Sequence, residues 1–101
     1  MNSHGKGSDR GAALYEALLT LKTPEECYAF FEDLCTVSEQ MAMEQRFELA
    51  RLLDQGNIYS DVLEKTGVSS ATVSRVKRCL NYGAGGYRLV LERMGTGEET
   101  E

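Results

Sequence analysis

Two closely spaced helix-start signals constrain what this chain of 101 residues can fold into. Residues 23–26 read TPEE and residues 36–39 read TVSE, so that each Thr precedes a Glu by three positions. In this capping-box pattern, the Thr hydroxyl and the Glu carboxylate bind backbone N–H groups that the first turn of a helix leaves unpaired. The two signals predict one helix after residue 23, where Pro24 suits the first helical position, and a second, long helix that ends near Gln55.

Composition and periodicity favour helices in the rest of the chain as well. Pro occurs once and Trp is absent, while helix-forming residue types are plentiful. Apolar residues recur at helical spacing in the segments before and after residue 23, namely at Leu14, Ala17, Leu18, Leu21, Cys27, Phe30, Phe31 and Leu34. We predict an all-α protein with a disordered N-terminal arm over 1–11, a single helical domain over 12–94 and an acidic tail over 95–101.

The long helix carries apolar residues around much of its circumference, and this predicts a partner subunit. These residues are Met41, Ala42, Met43, Phe47, Leu49, Ala50, Leu52 and Leu53. A helix that is apolar on two sides is buried on two sides, and a chain this short has little surface of its own to cover it. We therefore expect a homodimer; the alternative is a central helix inside a monomeric bundle.

The distribution of charge singles out one basic segment in an acidic chain. The net charge is −5, but residues 1–68 carry −6, residues 69–93 carry +4 and the last eight residues carry −3. Local charge decides what a surface attracts, because salt screens charges beyond about 8 Å. The basic segment fits an anionic partner such as double-stranded DNA, or it is simply a solvated face.

Several functional classes receive no support from the sequence. The N-terminus is polar and no run of 18 apolar residues occurs, so neither a membrane span nor a signal peptide is predicted. Cys27, Cys35 and Cys79 are odd in number and widely spaced, which indicates reduced core thiols in a cytoplasmic protein. His4 is the only histidine, and we expect no metal ion, no cofactor and no catalytic residue.

Two short helical segments within residues 59–81 match the requirements of a helix-turn-helix. The first covers about 60–66 and the second about 70–81, and Gly67 between them tolerates the positive φ of a tight turn. The face between the two helices needs apolar residues, and the sequence supplies Val62, Val68, Val73 and Val76. Either Ser69 or Ser70 is suited to cap the second helix.

The outward side of the second helix supplies the candidate DNA-binding residues. Small residues at its start let the helix enter a major groove about 12 Å wide, and the cations that follow suit guanine or phosphate contacts. The candidates are Ser69, Ser70, Ala71, Thr72, Ser74, Arg75, Lys77 and Arg78. The alternative is an ordinary helical hairpin.

Four segments resemble a known family. Residues 67–76 (GVSSATVSRV) resemble the helix-turn-helix of bacterial repressors, and residues 77–83 (KRCLNYG), 25–28 (EECY) and 30–36 (FFEDLCT) narrow the resemblance to the Trp repressor-like family, in its YerC/YecD branch. The resemblance extends from about Leu14 to Arg93. It implies an intertwined helical homodimer that acts as a sequence-specific transcriptional regulator, a repressor on a palindromic DNA operator.

The same resemblance implies candidate effector-binding residues. Thr36, Arg46 and Arg75 match positions that hold the amino-acid co-repressor in the Trp repressor. Val76 stands where that protein has a glycine that lies against the indole ring, so tryptophan is not expected in the same pose. Arg75 has two interpretations, because a general helix-turn-helix would turn it toward DNA and a Trp-repressor-like pocket would turn it toward a ligand.

Two further functional classes remain as alternatives. One is a small helical enzyme that binds a carboxylate substrate through Arg46 and Arg75, and the other is a helical dimer that acts only as an adaptor. Affinity for DNA discriminates both from a regulator.

Overall fold

The structure, a computed structural model, describes residues 10–99, and for residues 96–99 it describes the backbone alone. All regular structure in this range is helical. The six helices are α1 (Ala12–Leu18), α2 (Pro24–Leu34), α3 (Val37–Asp54), α4 (Tyr59–Thr66), α5 (Ser70–Tyr82) and α6 (Gly86–Glu99). The predicted all-α class is confirmed. Of the predicted arm over 1–11, residues 1–9 lie outside the described residues.

Both predicted capping signals form hydrogen bonds at helix starts. The backbone N–H of Glu39 donates to Thr36 Oγ1 over 3.1 Å, and the N–H of Thr36 donates to Glu39 Oε1 over 2.8 Å. At α2 the N–H of Glu26 donates to Thr23 Oγ1 over 3.1 Å. The Glu26 carboxylate accepts from the N–H of Lys22, one residue earlier than a strict capping box requires. Each threonine thus fixes the residue at which its helix begins.

The chain divides into two compact units, residues 1–40 and residues 41–101. In the first unit, neither α1 nor α2 contains a buried residue. The apolar stripe predicted for α2 is only half-buried at Phe30 and Phe31, whose rings meet edge to face at 5.6 Å, and Leu34 is exposed. The first helix ends at Leu18, so Leu21 lies outside it, contrary to the periodicity. The described part of this unit therefore has no buried core of its own.

The second unit contains the buried core. Helices α3 to α6 each contribute to it, and its members are Leu49, Ala50, Val62, Val73, Val76, Leu80 and Leu91. Leu49, Val62 and Val73 are fully inaccessible to solvent. Burying a Val or Leu side chain stabilises a fold by about 1.5–3 kcal/mol, so this cluster is what holds α4 and α5 against α3. Of the predicted inner face, Val62, Val73 and Val76 are buried and Val68 is half-buried.

One arginine joins three elements of the second unit. Arg88 Nη1 donates to Asp54 Oδ1 at 2.7 Å, Arg88 Nε donates to the carbonyl of Leu80 and Arg88 Nη2 donates to Asn81 Oδ1. The ion pair with Asp54 compensates the Arg88 charge. The basic segment of the sequence is consequently less positive on the surface than its count of cations suggests.

The last helix is longer than the sequence predicts. Periodicity ends it near Met94, whereas α6 continues to Glu99. Part of the predicted acidic tail over 95–101 is therefore helical in its backbone.

Other sequence expectations concern membrane spans, metal sites and cysteines. Within the described range, no helix combines the length and the apolar character that crossing a membrane needs, and no cluster of metal-ligating side chains occurs. Cys27, Cys35 and Cys79 are free thiols. All three are half-buried, so none belongs to the buried core that the sequence suggested for them.

Candidate nucleic-acid interface

The turn between α4 and α5 takes the conformation for which its glycine is suited. Gly67 has φ 70° and ψ 13°, in the left-handed region that favours glycine, and its N–H donates to the Leu63 carbonyl. Thr66 Oγ1 donates to the Val62 carbonyl at 2.8 Å and accepts from the N–H of Val68 at 3.3 Å. The turn is thus closed by its own side chain, which fixes the direction in which α5 leaves.

Ser69, rather than Ser70, caps α5. Ser69 Oγ accepts from the N–H of Thr72 at 3.2 Å and donates to Thr72 Oγ1 at 3.0 Å. The N–H groups of Ser70 and Ala71 have no acceptor among the described residues. Unpaired N–H groups at the start of a helix, together with the positive end of the helix dipole, favour a phosphate or another anion.

Helix α5 separates an apolar inner face from a polar, basic outer face. Val73, Val76 and Leu80 point into the core. The predicted DNA-binding residues that the structure leaves exposed are Ser69, Ser70, Ala71, Ser74, Arg75, Lys77 and Arg78. Thr72 is half-buried. The structure therefore brings all eight predicted residues together on one helix and its cap.

The cations of α5 are not neutralised within the described part of the chain. Arg75 and Arg78 form no ion pair there. The Lys77 ammonium lies 6.0 Å from the centre of the Tyr59 ring, a cation–π contact that leaves its charge in place. The outer face of α5 is therefore positive although the whole chain is acidic, and it attracts anions at short range.

Sequence reasoning missed Tyr59, the first residue of α4. Its hydroxyl lies 3.0 Å from the carbonyl of Ser70 and 2.8 Å from Ser74 Oγ. This aromatic residue links the two helices of the helix-turn-helix at the start of α5. The only sequence signal was a large aromatic residue where α4 begins, within reach of the turn.

The candidate effector residues are distributed over both units. Thr36 belongs to the first unit, where its side chain caps α3. Arg46 and Arg75 belong to the second unit, and both are exposed. Two grooves in that unit, of about 510 and 450 Å³, include neither arginine among their lining residues.

Val76, which the sequence resemblance matched to a Trp repressor glycine beside the indole ring, is a core residue of this chain. It is 1% exposed and packs in the core with Leu49, Ala50 and Leu80. The surface at residue 76 is consequently closed by the chain's own side chains.

Fold and site together define an all-helical protein with a helix-turn-helix whose second helix presents a basic outer face. The family model described as "Trp repressor protein" matches residues 11–95, which is most of the chain. The chain belongs to the Trp repressor family. The resemblance inferred from the sequence segments is thereby confirmed.

Known relatives support the membership in this family and its YerC branch. The chain is 51% identical over 88 residues to "Uncharacterized protein YerC" of Bacillus subtilis (strain 168), covering 87% of this chain and 82% of that protein. A TrpR-like protein from Eubacterium eligens is similar at 48% identity and a TM-score of 0.81, over 88% of this chain and 92% of the other. A putative Trp repressor from Staphylococcus aureus gives 44% identity and a TM-score of 0.80, over 90% and 96%. The fold is therefore Trp repressor-like.

Proposed function

We propose that this protein is a cytoplasmic transcriptional regulator, a repressor, that binds a palindromic DNA operator as a homodimer. Membership of the Trp repressor family favours a helix-turn-helix regulator over an enzyme. In the proposal, residues 12–94 act as the DNA-binding domain, and no cofactor or metal ion takes part. The adaptor and enzyme alternatives receive no specific support from the geometry.

The observation that carries the proposal is the division of α5 into two faces. The inner face is sealed in the core, so the helix is held firmly, while the outer face combines small residues at its start with cations behind them. Ser70 and Ala71 leave room for the helix end to approach base edges, and their free N–H groups suit a phosphate. In this proposal Lys77 and Arg78 bind backbone phosphates, and Arg75 either contacts bases or, in its other interpretation, holds an effector.

Exposed apolar residues support the homodimer. In the described residues, neither α1 nor α2 contains a buried residue, and large apolar side chains remain exposed on several helices, including Tyr28 (62%), Met41 (61%) and Met94 (54%). A second copy that covers these side chains supplies the burial that the first unit lacks. A two-fold dimer then places two α5 helices in successive major grooves, about 34 Å apart.

An effector remains part of the proposal as an anionic ligand of Thr36, Arg46 and Arg75. Both guanidinium groups are exposed and suit a carboxylate. The buried position of Val76 supports the expectation that the ligand is not tryptophan in the Trp repressor pose.

Selection from randomised duplex DNA tests the proposal. The purified protein is incubated with the library at low salt, with and without a mixture of amino acids. A palindromic enriched motif is expected, and enrichment that needs the mixture would identify an amino-acid effector. A variant with Arg75, Lys77 and Arg78 changed to Ala should enrich nothing, while Lys22→Ala, which removes a cation between α1 and α2, should enrich the same motif. Absence of enrichment by the unmodified protein would refute the proposal.

A further inference from the structure

A hydroxyl on the outer face of α5 is held by a residue of α4. Ser74 is exposed beside Arg75 and behind the small residues that begin the helix. Its Oγ lies 2.8 Å from the hydroxyl of Tyr59, and that hydroxyl lies 3.0 Å from the carbonyl of Ser70. The three groups form a short hydrogen-bonded chain whose direction can be worked out.

The direction follows from the number of protons. A tyrosine hydroxyl has one hydrogen, and a backbone carbonyl is only an acceptor. The Tyr59 hydrogen therefore goes to the Ser70 carbonyl. Between Tyr59 and Ser74 the remaining donor is the Ser74 hydroxyl, which must donate to the Tyr59 oxygen.

This arrangement leaves Ser74 able to accept but not to donate outward. A serine inside a helix usually donates to the carbonyl four residues earlier. For Ser74 that carbonyl belongs to Ser70, which accepts from Tyr59, whereas Ser74 Oγ is hydrogen-bonded to the Tyr59 hydroxyl instead. With its only hydrogen on the Tyr59 oxygen, Ser74 presents lone pairs alone to whatever faces α5.

On the basis of the proposed DNA binding, we infer that Tyr59 is a positioning residue that determines sequence specificity by making Ser74 an obligate acceptor. In the major groove, adenine and cytosine present exocyclic amino groups as donors, whereas guanine O6 and N7 and thymine O4 are acceptors. Ser74 therefore selects the amino group of adenine or cytosine at one position of each half-site. Guanine or thymine at that place would leave two acceptors opposed.

Four proteins compared by selection from randomised duplexes test the inference: the unmodified protein, Ser74→Ala, Tyr59→Phe and Tyr82→Phe. Ser74→Ala identifies the position that Ser74 reads, because discrimination disappears there. Tyr59→Phe keeps the aromatic ring, frees the Ser74 hydrogen and should reduce the preference at the same position by about two- to twelvefold per half-site, the value of one neutral hydrogen bond. Tyr82→Phe removes the same hydroxyl from a residue that is 85% exposed, and the preference should stay unchanged.

The double variant Tyr59→Phe/Ser74→Ala separates this role from a general effect on the orientation of α5. If Tyr59 acts through Ser74, the double variant should discriminate like Ser74→Ala, with affinity changes that are non-additive. A changed base preference at DNA positions other than the one that Ser74 reads would overturn the inference. Two other results, obtained while operator binding persists, would also overturn it. One is an unaltered base preference in Tyr59→Phe, and the other is a guanine or thymine selected at the position that Ser74 reads. Failure of the unmodified protein to enrich any sequence would instead refute the proposed function.

Discussion

Replacement of Val76 by Ala should destabilise the protein strongly. The side chain is 1% exposed and belongs to the buried core that also includes Leu49 and Ala50 of α3. The change removes two buried methyl groups, worth about 1.6 kcal/mol by transfer, and the cavity raises the loss to about 2–3 kcal/mol. In a domain of this size, each kcal/mol shifts Tm by about 4–8 °C, so Tm should fall by about 8–24 °C.

Urea and thermal denaturation followed by circular dichroism measure this loss. Protein concentration must be equal for all variants, because the stability of the proposed dimer would depend on it. The matched control is Val37→Ala, which removes the same groups from a side chain that is 71% exposed and should cost less than about 0.5 kcal/mol. A Val76→Ala variant within about 0.5 kcal/mol of the unmodified protein would show that residue 76 is not a core residue.

Four further predictions concern other parts of the molecule. Calorimetry should detect no binding of L-tryptophan, because the resemblance implies a glycine beside the indole ring where this chain has the larger, buried Val76; binding that Arg46→Ala abolishes would contradict this. Thr36→Ala should lower the free energy of unfolding by about 0.5–2 kcal/mol in a urea titration, since it removes the cap of α3. Gly67→Ala should cost about 1 kcal/mol or more in the same assay, because residue 67 has positive φ, and an unchanged midpoint would refute that reason. The Arg51 hydrogen bond lowers the pKa of Glu48 below its ordinary 4.5. The pair therefore stabilises the fold above about pH 4.5, and this stabilisation disappears as pH falls through the lowered pKa. Because the pair is exposed, Glu48→Gln should cost under about 0.5 kcal/mol at pH 7 and nothing at pH 2.

Features encoded by local sequence signals could be predicted. Thr23 and Thr36 cap helices in the structure as predicted. This was predictable because each capping hydrogen bond joins residues only three positions apart in the sequence. The turn at Gly67 and the apolar positions of α5 could also be predicted from the sequence. The turn depends on residues within one helix turn, and the apolar positions follow the helical periodicity. The predicted α4 and α5 differ from the observed helices by one residue at an end.

Contacts between distant residues could not be predicted. Arg88 reaches Asp54 across 34 positions, and Tyr59 reaches Ser74 across 15, and neither spacing has a periodic signature. The end of α6 was misplaced for a different reason. Gly95 and Gly97 each cost a helix about 1 kcal/mol relative to Ala, which favours an end at Met94, yet the helix continues to Glu99.

The central claim is that the outer face of α5 binds DNA as part of a dimer, and the salt dependence of operator affinity tests it most directly. Kd for the selected duplex is measured for the unmodified protein, Arg78→Ala and the Lys22→Ala control. The salt concentration is varied between about 50 and 200 mM, where counterion release makes the affinity strongly salt-dependent. Because Arg78→Ala removes one phosphate-binding cation from each subunit, it should flatten the slope of log K against log salt by about 1.8 and weaken binding to every sequence alike. Lys22→Ala should retain the original slope. Equal affinity and equal slope for Arg78→Ala and the unmodified protein would contradict the account.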